Sequence, residues 1–227
     1  MLEVIVQNKD DAIIAEQAGA DRLELVSAIE YGGLTPDIST ITQVCSAVSI
    51  PVFVMVRPHA KSFFYNEKDS KEIFRTITAS KEEGCLGIVF GALDQFKDLD
   101  EELVDEVNKR AYPLPITFHR AIDAAVNPLE IYKKLCKYSQ IKRVLTSGGS
   151  QQAMNGLTVI KKLLDEEKEG NGPIVMPGSG INPSTFQLIH EKIRATEYHV
   201  GSGARIGNDF KRPIDPKSIE YIKTGMG

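Results

Sequence analysis

Eight short apolar segments rich in β-branched residues alternate with longer segments of helical periodicity along the 227-residue chain. Their Val, Ile, Leu and Phe residues run almost without polar interruption, which is typical of strands that are covered on both faces, as in a parallel sheet. The predicted strands are Leu2–Val6, Arg22–Val26, Pro51–Val56, Gly87–Phe90, Pro115–Phe118, Arg143–Thr146, Pro173–Met176 and Tyr198–Val200.

This alternation predicts the α/β class and, within it, a single-domain (β/α)8 TIM-type barrel over residues 1–227. Gly19 and Gly84 stand where helices should stop before the next strand. Asn127-Pro128 and Thr35-Pro36 each place a capping side chain before a proline of the first helical turn. An open doubly wound sheet is the main alternative, but the first strand-to-helix turn has no GxGxxG motif.

The net charge and the cysteine spacing argue against several classes of protein, including nucleic-acid-binding, membrane-binding and disulfide-rich proteins. A net charge of −4 and a pI of about 5.7 give no basic field for nucleic acid or an anionic membrane, so an anion has to be bound locally. Cys45, Cys85 and Cys136 are far apart in the sequence, which argues against a disulfide framework or a structural zinc site. With no signal sequence or membrane-spanning segment in view, we expect a cytoplasmic protein.

The densest group of polar residues follows the fifth predicted strand. In a barrel, the residues at the C-terminal ends of the strands build the active site. His119 could transfer protons there near neutral pH, Arg120 could bind an anionic group, and Asp123 could orient either of them. The alternative is structural: Arg120 pairs with Asp123, and the histidine bonds to the backbone.

Two glutamates stand inside otherwise apolar strands. A charge in that position is costly unless it has a partner, so we expect Glu3 and Glu24 to point into the barrel and meet Arg57, Arg120 or a histidine. They either form an ionic network that fixes the strand register or take part in catalysis. Glu24 lies nearer the mouth and is the catalytic candidate.

Glycine-rich turns follow the last three predicted strands, close to the usual phosphate-binding position of such barrels. Glycine lets backbone N–H groups approach a ligand closely, and the neighbouring hydroxyl groups add further donors. The candidate anion-binding residues are Thr146, Ser147, Gly148, Gly178, Ser179, Gly180, Gly201, Ser202 and Gly203, together with Arg57 and Arg120.

A long loop leaves the third strand at Arg57 and carries three aromatic residues in succession, Phe63, Phe64 and Tyr65. It could fold over the mouth as a lid, or its aromatic side chains could be buried against a helix or a neighbouring subunit. Both alternatives leave Arg57 at the mouth of the barrel.

The chain lacks the signature residues of several other classes of enzyme. No lysine ends a strand, which argues against a Schiff-base aldolase, and no nucleophile elbow, HExxH motif or Walker loop is present. Glu24, His119 and His199 could in principle hold a divalent metal. The expected second carboxylate or HxH pair is missing, however, so the sequence assigns no metal ligands.

Together these motifs resemble those of the CutC family, often called copper homeostasis proteins. The resemblance runs in order over essentially the whole chain, and the HRA-x-D and RVLTSG blocks are its most specific parts. It is carried by Ala20–Leu25, Gly32–Pro36, Arg57-Pro58 with Phe63 and Tyr65, Thr117–Ala121 with Asp123, Arg143–Gly148, and Gly178–Gly180.

The resemblance implies a cytoplasmic TIM-type barrel, often a homodimer or higher homo-oligomer, with a role in copper handling and copper binding. Relatives often carry cysteines in the first and second strands, where this chain has Val6, or its neighbours Ile5 and Gln7, and Val26. Cu(I) prefers grouped thiolates and thioethers, so copper is implied here by the resemblance alone. The competing prediction, made from the residues themselves, is an enzyme acting on a small phosphorylated or anionic metabolite at the mouth of the barrel.

Overall fold

Each predicted strand is present in the computed structural model, which describes residues 1–170 and 172–227, with ends at most two residues from the prediction. The strands are β1 Leu2–Val6, β2 Arg22–Leu25, β3 Val52–Met55, β4 Gly87–Phe90, β5 Ile116–Phe118, β6 Ile141–Thr146, β7 Ile174–Pro177 and β8 Tyr198–Val200. The helices are α1 Lys9–Gln17, α2 Ile38–Cys45, α3 Glu67–Glu82, α4 Glu101–Ala111, α5 Ala121–Ala124, α6 Pro128–Leu135, α7 Leu157–Glu169, α8 Pro183–Ile193 and α9 Pro216–Gly225.

The strands pair in parallel in the order β7-β6-β5-β4-β3-β2-β1-β8, and β7 also lies beside β8. Over the described residues the sheet is therefore a nearly closed barrel, which confirms the TIM-type fold and contradicts the open-sheet alternative. The main hydrophobic core fills the space between the sheet and the surrounding helices, where Val4, Leu23 and Val54 point outward from their strands. Alternate residues of the same strands consequently point into the barrel.

The predicted capping residues and terminating glycines lie at the ends of helices, with one exception. Gly19 and Gly84 adopt φ values of +95° and +76°, the left-handed conformation that ends a helix, and Asn127 caps α6. The prediction for Thr35-Pro36 was wrong, because α2 is capped by Asp37, which accepts a hydrogen bond from the Thr40 N–H at 2.8 Å. The Thr35 hydroxyl instead accepts from the backbone N–H of Arg57 at 2.8 Å and ties its loop to the end of β3.

The barrel interior is filled around one aromatic ring. Phe53 on β3 occupies the space beside Gly87 on β4, where a Cβ would lie 2.4 Å from the ring, so a larger residue cannot replace this glycine without a shift. The guanidinium carbons of Arg22 and Arg143 lie 5.2 and 5.4 Å from the centroid of the same ring. The Phe53 ring thus packs against two cationic side chains inside the barrel.

Candidate functional site

A chain of buried ion pairs, which we call the ionic layer (Glu3, Arg22, Arg143 and Glu197), crosses the lower part of the barrel. Arg22 Nε donates to Glu3 Oε2 at 2.5 Å and Arg22 Nη2 to Glu197 Oε2 at 2.5 Å, while Arg143 Nε donates to the same Glu197 oxygen at 2.8 Å. Burial disfavours the charge of Glu3, but Arg22 and His199 outweigh it and lower the pKa of Glu3 to about 2. The ionic layer is therefore charged and internally paired.

His199 connects this layer to Glu24. Glu3 lies opposite Arg22 and His199 in the register of the neighbouring strands, and Glu24 is two residues beyond Arg22 on the same interior face. His199 Nδ1 lies 2.7 Å from Glu3 Oε1, and its Nε2 lies 3.8 Å from Glu24 Oε2. The sequence correctly predicted a histidine partner for both glutamates, whereas the arginine partner of Glu3 is Arg22 and neither Arg57 nor Arg120.

The pKa values of Glu24 and His199 are both shifted from their ordinary values. Burial raises the pKa of Glu24 to about 7, although the charge of His199 opposes the shift. Burial also disfavours the charged form of His199, but Glu24 and Glu3 outweigh it and raise the pKa of His199. Glu24 Oε1 is buried and has no hydrogen-bond partner among the described residues. A carboxyl group that titrates near neutral pH thus faces the mouth with one free oxygen.

His119 stands at the end of β5 and is also buried. Its Nδ1 accepts a hydrogen bond from the Ala121 N–H at 3.1 Å, which assigns the ring proton to Nε2 in the neutral imidazole. Nε2 is buried without a partner among residues 1–170 and 172–227. Burial and the nearby charge of Arg57 lower the pKa of His119 to about 3, so the ring is neutral at physiological pH. Gly91 makes room for it, since a Cβ there would lie 2.6 Å from Nδ1.

Glu24 and His119 line the same cavity of about 220 Å³ at the mouth of the barrel. Its walls combine apolar side chains from the strands with polar groups from the loops after β3, β5, β7 and β8. The predicted site residues that line it are Glu24, Arg57, His119, Arg120, Ser179, Gly180, Gly201, Ser202 and Gly203, and sequence analysis missed Ile5, Ile29, Met55, Leu145, Ile181 and Phe210. These missed residues are apolar, and nothing in their local pattern separates them from the rest of the core.

Arg57 supports one wall of the cavity. Its Nη1 donates to the carbonyl oxygens of Tyr31, Gly32 and Gly33, each at 3.2 Å, so it holds the loop after β2. Its guanidinium carbon lies 4.9 Å from the centroid of the Phe63 ring, and its Nε has no partner among the described residues. Phe63 lines the cavity and belongs to the predicted lid segment, whereas Tyr65 is buried and Phe64 is half exposed.

The glycine-rich turn after β6 is occupied by a carboxylate of the chain itself. Asp123 accepts hydrogen bonds from the Thr146 hydroxyl at 2.6 Å and from the backbone N–H groups of Ser147 and Gly149 at 2.9 Å. Arg120 Nε donates to the same carboxylate at 2.8 Å. Asp123, Thr146, Ser147 and Gly148 are thus brought together beside the cavity. Donors of Thr146, Ser147 and Gly149 point toward Asp123, while the Gly148 N–H donates to the Thr146 hydroxyl oxygen.

The turns after β7 and β8 have no such internal acceptor. The backbone N–H groups of Ser179, Gly180 and Gly201 donate to no acceptor within the described residues, and all three residues line the cavity. Ser179 and Gly180 adopt φ values of +74° and +72°, a conformation that turns successive N–H groups toward one side. Gly178 lies behind them against Leu145 and His199, where a Cβ would lie 2.6 Å from Leu145 Cδ1.

The geometry also gathers three groups of the kind that bind divalent metals. Ligand atoms of Glu3, Glu24 and His199 lie within 4.8 Å of one another. The second carboxylate that the sequence seemed to lack is therefore Glu3, while His119 is not part of the trio. Both oxygens of Glu3 are already bonded, one to Arg22 and one to His199, so a cation there would have to compete with Arg22.

The chain is a (β/α)8 barrel with a carboxyl group, an imidazole and arginines around one cavity at the C-terminal end of the sheet. The CutC family model matches residues 1–204, and the chain belongs to the CutC family, as its motifs predicted. No helix in the described part of the chain combines the length and apolar character needed to cross a membrane.

Relatives and solved structures agree with this family. The chain is 39% identical over 199 residues to the copper homeostasis protein cutC homolog of Homo sapiens, covering 88% of this chain and 72% of the human protein. It is 35% identical over 226 residues to a family protein CutC of Yersinia enterocolitica, covering 99% of this chain and 84% of the relative. The crystal structure of CutC from Streptococcus agalactiae superposes with a TM-score of 0.81 at 24% identity, covering 88% of this chain and 97% of that one.

The fold also resembles an isomerase barrel. Phosphoribosyl anthranilate isomerase from Thermotoga maritima superposes with a TM-score of 0.67 at 14% identity, covering 99% of this chain and 97% of that chain. This likeness supports the barrel architecture and carries no conclusion about activity.

Proposed function

We propose that this protein is an enzyme that binds a small phosphorylated or otherwise anionic metabolite at the barrel mouth and moves a proton on it. One observation carries the proposal: Glu24 Oε1 and His119 Nε2, both buried and without partners among the described residues, line one cavity. Unsatisfied buried polar groups are destabilising, so their retention at the same cavity favours a ligand that satisfies them.

Glu24 would carry the proton. A general acid or base works best when its pKa lies near the working pH, and the pKa of Glu24 is raised to about 7 by burial. Because His199 contacts Glu24 on one side and Glu3 on the other, it would hold the carboxyl group in place and stabilise its ionised form. Glu24 could then take a proton from a carbon next to a carbonyl group and return it to a neighbouring atom.

His119 would act as a neutral hydrogen-bond donor. With a pKa of about 3 it cannot release a proton as an imidazolium near pH 7, which shifts the predicted acid or base role to Glu24. A neutral imidazole can still donate from Nε2 to a substrate carbonyl oxygen while negative charge develops there. The reaction class supported by this pair is proton transfer at a carbon adjacent to a carbonyl group.

The anionic part of the substrate would lie against the turns after β7 and β8. The N–H groups of Ser179, Gly180 and Gly201 are the donors available there, and Arg120 lies at the same cavity with its charge shared with Asp123. Such backbone donors bind phosphate without needing a lysine. Asp123, Thr146, Ser147 and Gly148 would support Arg120, and Gly178 would position the turn.

Thermal denaturation with inorganic phosphate, sulfate and a set of phosphorylated aldoses and ketoses tests the binding part. A ligand at a hundredfold excess over its Kd should stabilise the folded chain by about 2.7 kcal/mol.

Hydrogen exchange of the best ligand in D2O, followed by NMR, tests the proposed proton transfer. Wild type should exchange the hydrogen next to the carbonyl group, Glu24→Gln should lose exchange but keep binding, and His119→Ala should slow exchange at least a hundredfold.

A matched control is Glu82→Gln, which changes an exposed glutamate at the C-terminal end of α3, on the side of the barrel opposite the mouth. It should leave both binding and exchange unchanged. Absence of stabilisation by every anion would overturn the proposed ligand class. Exchange that survives in Glu24→Gln would overturn the proposed proton carrier.

Copper binding is the second candidate, because relatives such as the human protein carry the name copper homeostasis protein. The mouth does not fit a Cu(I) site: its lining contains one sulfur atom among the described residues, the thioether of Met55, beside oxygen and nitrogen donors. Copper binding by this chain would therefore need sulfur ligands elsewhere. Copper retention by a variant that lacks Glu24 and His119 would support a separate location.

We also propose a cytoplasmic location and self-association, which the family resemblance implies. The three cysteines are free in the structure, which suits a reducing compartment. Tyr31 and Phe64, on the loops after β2 and β3, are 62% and 48% exposed and could contact a second copy beside the barrel mouth. Sedimentation of wild type and Phe64→Ser tests this: a dimer that dissociates in the variant supports the contact.

A further inference from the structure

One side of the cavity at the barrel mouth is lined by four apolar side chains, which we call the apolar wall (Ile5, Ile29, Met55 and Phe210). Two of them stand on β1 and β3, and the other two on the loops after β2 and β8. All four belong to one packed hydrophobic cluster. The other buried members of that cluster stay out of the cavity lining, so the apolar wall is the part of the cluster that a ligand can touch.

The apolar wall adjoins both groups that the proposed function assigns to the substrate. Ile5 on β1 is the register partner of Glu24 on β2, so the wall begins directly beside the carboxyl group. A Cβ on Gly201 would lie 2.9 Å from Ile5 Cδ1 and 2.8 Å from Phe210 Cζ, so this glycine is packed against both apolar side chains. Because Gly201 belongs to the proposed anion-binding turns, a ligand held there extends along the wall.

A buried ion pair fixes the position of Phe210. Arg205 Nη2 donates to Asp11 Oδ2 at 2.5 Å, and the guanidinium carbon of Arg205 lies 5.5 Å from the centroid of the Phe210 ring. Arg205 also forms an antiparallel bridge with Ile214, which closes the loop that carries Phe210. A binding surface that is preorganised in this way loses little conformational entropy when a ligand arrives.

We propose that the apolar wall is the subsite for a flat ring, so that the substrate class is a small anion, such as a phosphate ester, that carries one aromatic or similarly flat apolar ring. This inference rests on the proposed function and adds the part of the substrate that is not charged. Phe210 offers an aromatic ring for edge or face contacts, and Met55 offers a polarisable sulfur that packs well against rings.

The size of the cavity limits the ligand to a compact molecule. Its volume of about 220 Å³ lies below the range of about 300–1,000 Å³ that is typical of pockets for drug-sized ligands. One ring beside one anionic group therefore suits the space between the apolar wall and the turns after β7 and β8.

Isothermal titration calorimetry of the unmutated protein with phenyl phosphate and methyl phosphate separates the ring from the anion. At about pH 8 the two esters carry the same charge, because the second pKa of a phosphate monoester is about 6. Phenyl phosphate should bind more tightly by about tenfold or more, since removal of a ring of this size from water is favourable. The methyl resonance of Met55, assigned with Met55→Leu, should shift through the ring current of phenyl phosphate and not with methyl phosphate.

Variants of the two loop residues locate the subsite. Ile29 and Phe210 are partly buried, and Ile29→Ser and Phe210→Ser should each remove most of the advantage of phenyl phosphate while leaving the affinity for methyl phosphate unchanged. Leu188→Ser is the matched control, because Leu188 is 53% exposed on the outer surface of α8, and it should keep the full advantage.

Failure of this inference differs from failure of the proposed function. Equal affinity for the two esters, a Met55 resonance that phenyl phosphate leaves unchanged, or an advantage that survives in both loop variants would overturn the ring subsite and leave the anion site standing. If neither ester binds, the proposed anion site fails, and phenol, which lacks the phosphate group, decides the ring subsite. A Met55 shift with phenol that is lost in Phe210→Ser would support the subsite, and the absence of a shift would overturn it.

Discussion

The barrel interior contains two polar layers that differ in how their charges are paired. In the ionic layer, Glu3, Arg22, Arg143 and Glu197 are joined by short ion pairs, although Nη1 of Arg22 and Nη1 of Arg143 are buried without a partner among the described residues. Above it lies what we call the cavity layer, Glu24, Arg57 and His119, in which each side chain keeps one buried atom without a partner among the described residues. The free atoms of the lower layer thus belong to arginines that are already paired with carboxylates, whereas the upper layer leaves a carboxyl oxygen and an imidazole nitrogen free beside the cavity.

The difference follows from position along the strands. Residues at the level of Glu3 face neighbours on adjacent strands in register, so opposite charges can pair directly. Residues at the C-terminal ends of the strands face a cavity bounded by loops. This comparison predicts that changes in the lower layer affect stability first, and that changes in the upper layer affect protonation and ligand binding.

Removal of Arg22 should have the largest effect. Arg22→Ala leaves Glu3 and Glu197 buried with reduced compensation, and we expect a loss of about 3–5 kcal/mol in the free energy of unfolding, measured in urea. Arg110→Ala is the matched control, because Arg110 pairs with Glu106 at 2.6 Å on an exposed helix surface and should contribute less than about 1 kcal/mol. Equal losses in both variants would contradict the role assigned to the ionic layer.

Glu24→Gln should change how stability depends on pH. The pKa of Glu24 in the folded chain, about 7, lies above its ordinary value of 4.5, so the folded state favours the protonated form. The stabilising contribution is complete below pH 4.5 and is lost as the pH rises through 7, by an amount on the order of 3 kcal/mol.

Glutamine does not titrate, so Glu24→Gln should gain stability relative to wild type between pH 5 and pH 8, a range chosen to span most of that transition. Urea unfolding at several pH values measures the gain. Parallel stability curves for the two proteins would contradict the assignment.

Asp123→Asn should have an intermediate effect confined to the turn after β6. The substitution weakens the bonds from Thr146, Ser147 and Gly149 and the ion pair with Arg120, and we expect a loss of about 1–3 kcal/mol. Ser179→Ala, in the turn after β7, removes a single hydroxyl bond to the Gln151 carbonyl and should lose about 1 kcal/mol or less. A larger loss for Ser179→Ala would reverse the contrast between the two turns.

The smallest effect is predicted for the NMR resonances of His119, which should not change with pH in the neutral range. Burial and the charge of Arg57 lower its pKa to about 3, so its ring resonances should stay unchanged in NMR spectra as the pH falls from 8 to 5, a window well above that value. The spectrum of His119→Gln identifies the resonance. A midpoint near the ordinary value of 6.5 would show that the ring is accessible to solvent and can act as an acid.

The fold was predictable because its signal is repeated. Each strand is a short, largely apolar run, and the eight runs recur with helical segments between them, so an error at one end does not change the architecture. Local capping was less certain: Thr35-Pro36 has the form of a helix start, yet the Asp37 side chain provides the cap two residues later. A capping motif describes what a residue can do, and competing neighbours decide which one does it.

The site was predictable only in part, because pairing across the barrel depends on register. The interior position of Glu3 and Glu24 followed from charge in an apolar strand, while Arg22 was overlooked although it lies two residues before Glu24 on the same face. The three glycine-rich turns are similar in sequence, and only the structure shows that Asp123 occupies one of them. The Sγ atoms of Cys45 and Cys85 lie 3.1 Å apart, a contact that depends on helix packing and has no sequence signal.

The most direct test of the cavity layer is the pKa of Glu24 itself, measured from the 13C resonance of its carboxyl group across the neutral range. The proton-transfer account predicts a midpoint of about 7 in wild type and the absence of that resonance in Glu24→Gln. If every carboxyl group of the protein instead titrated at or below 4.5, Glu24 would be an ordinary buried ion, and the proposed proton transfer at the barrel mouth would be contradicted.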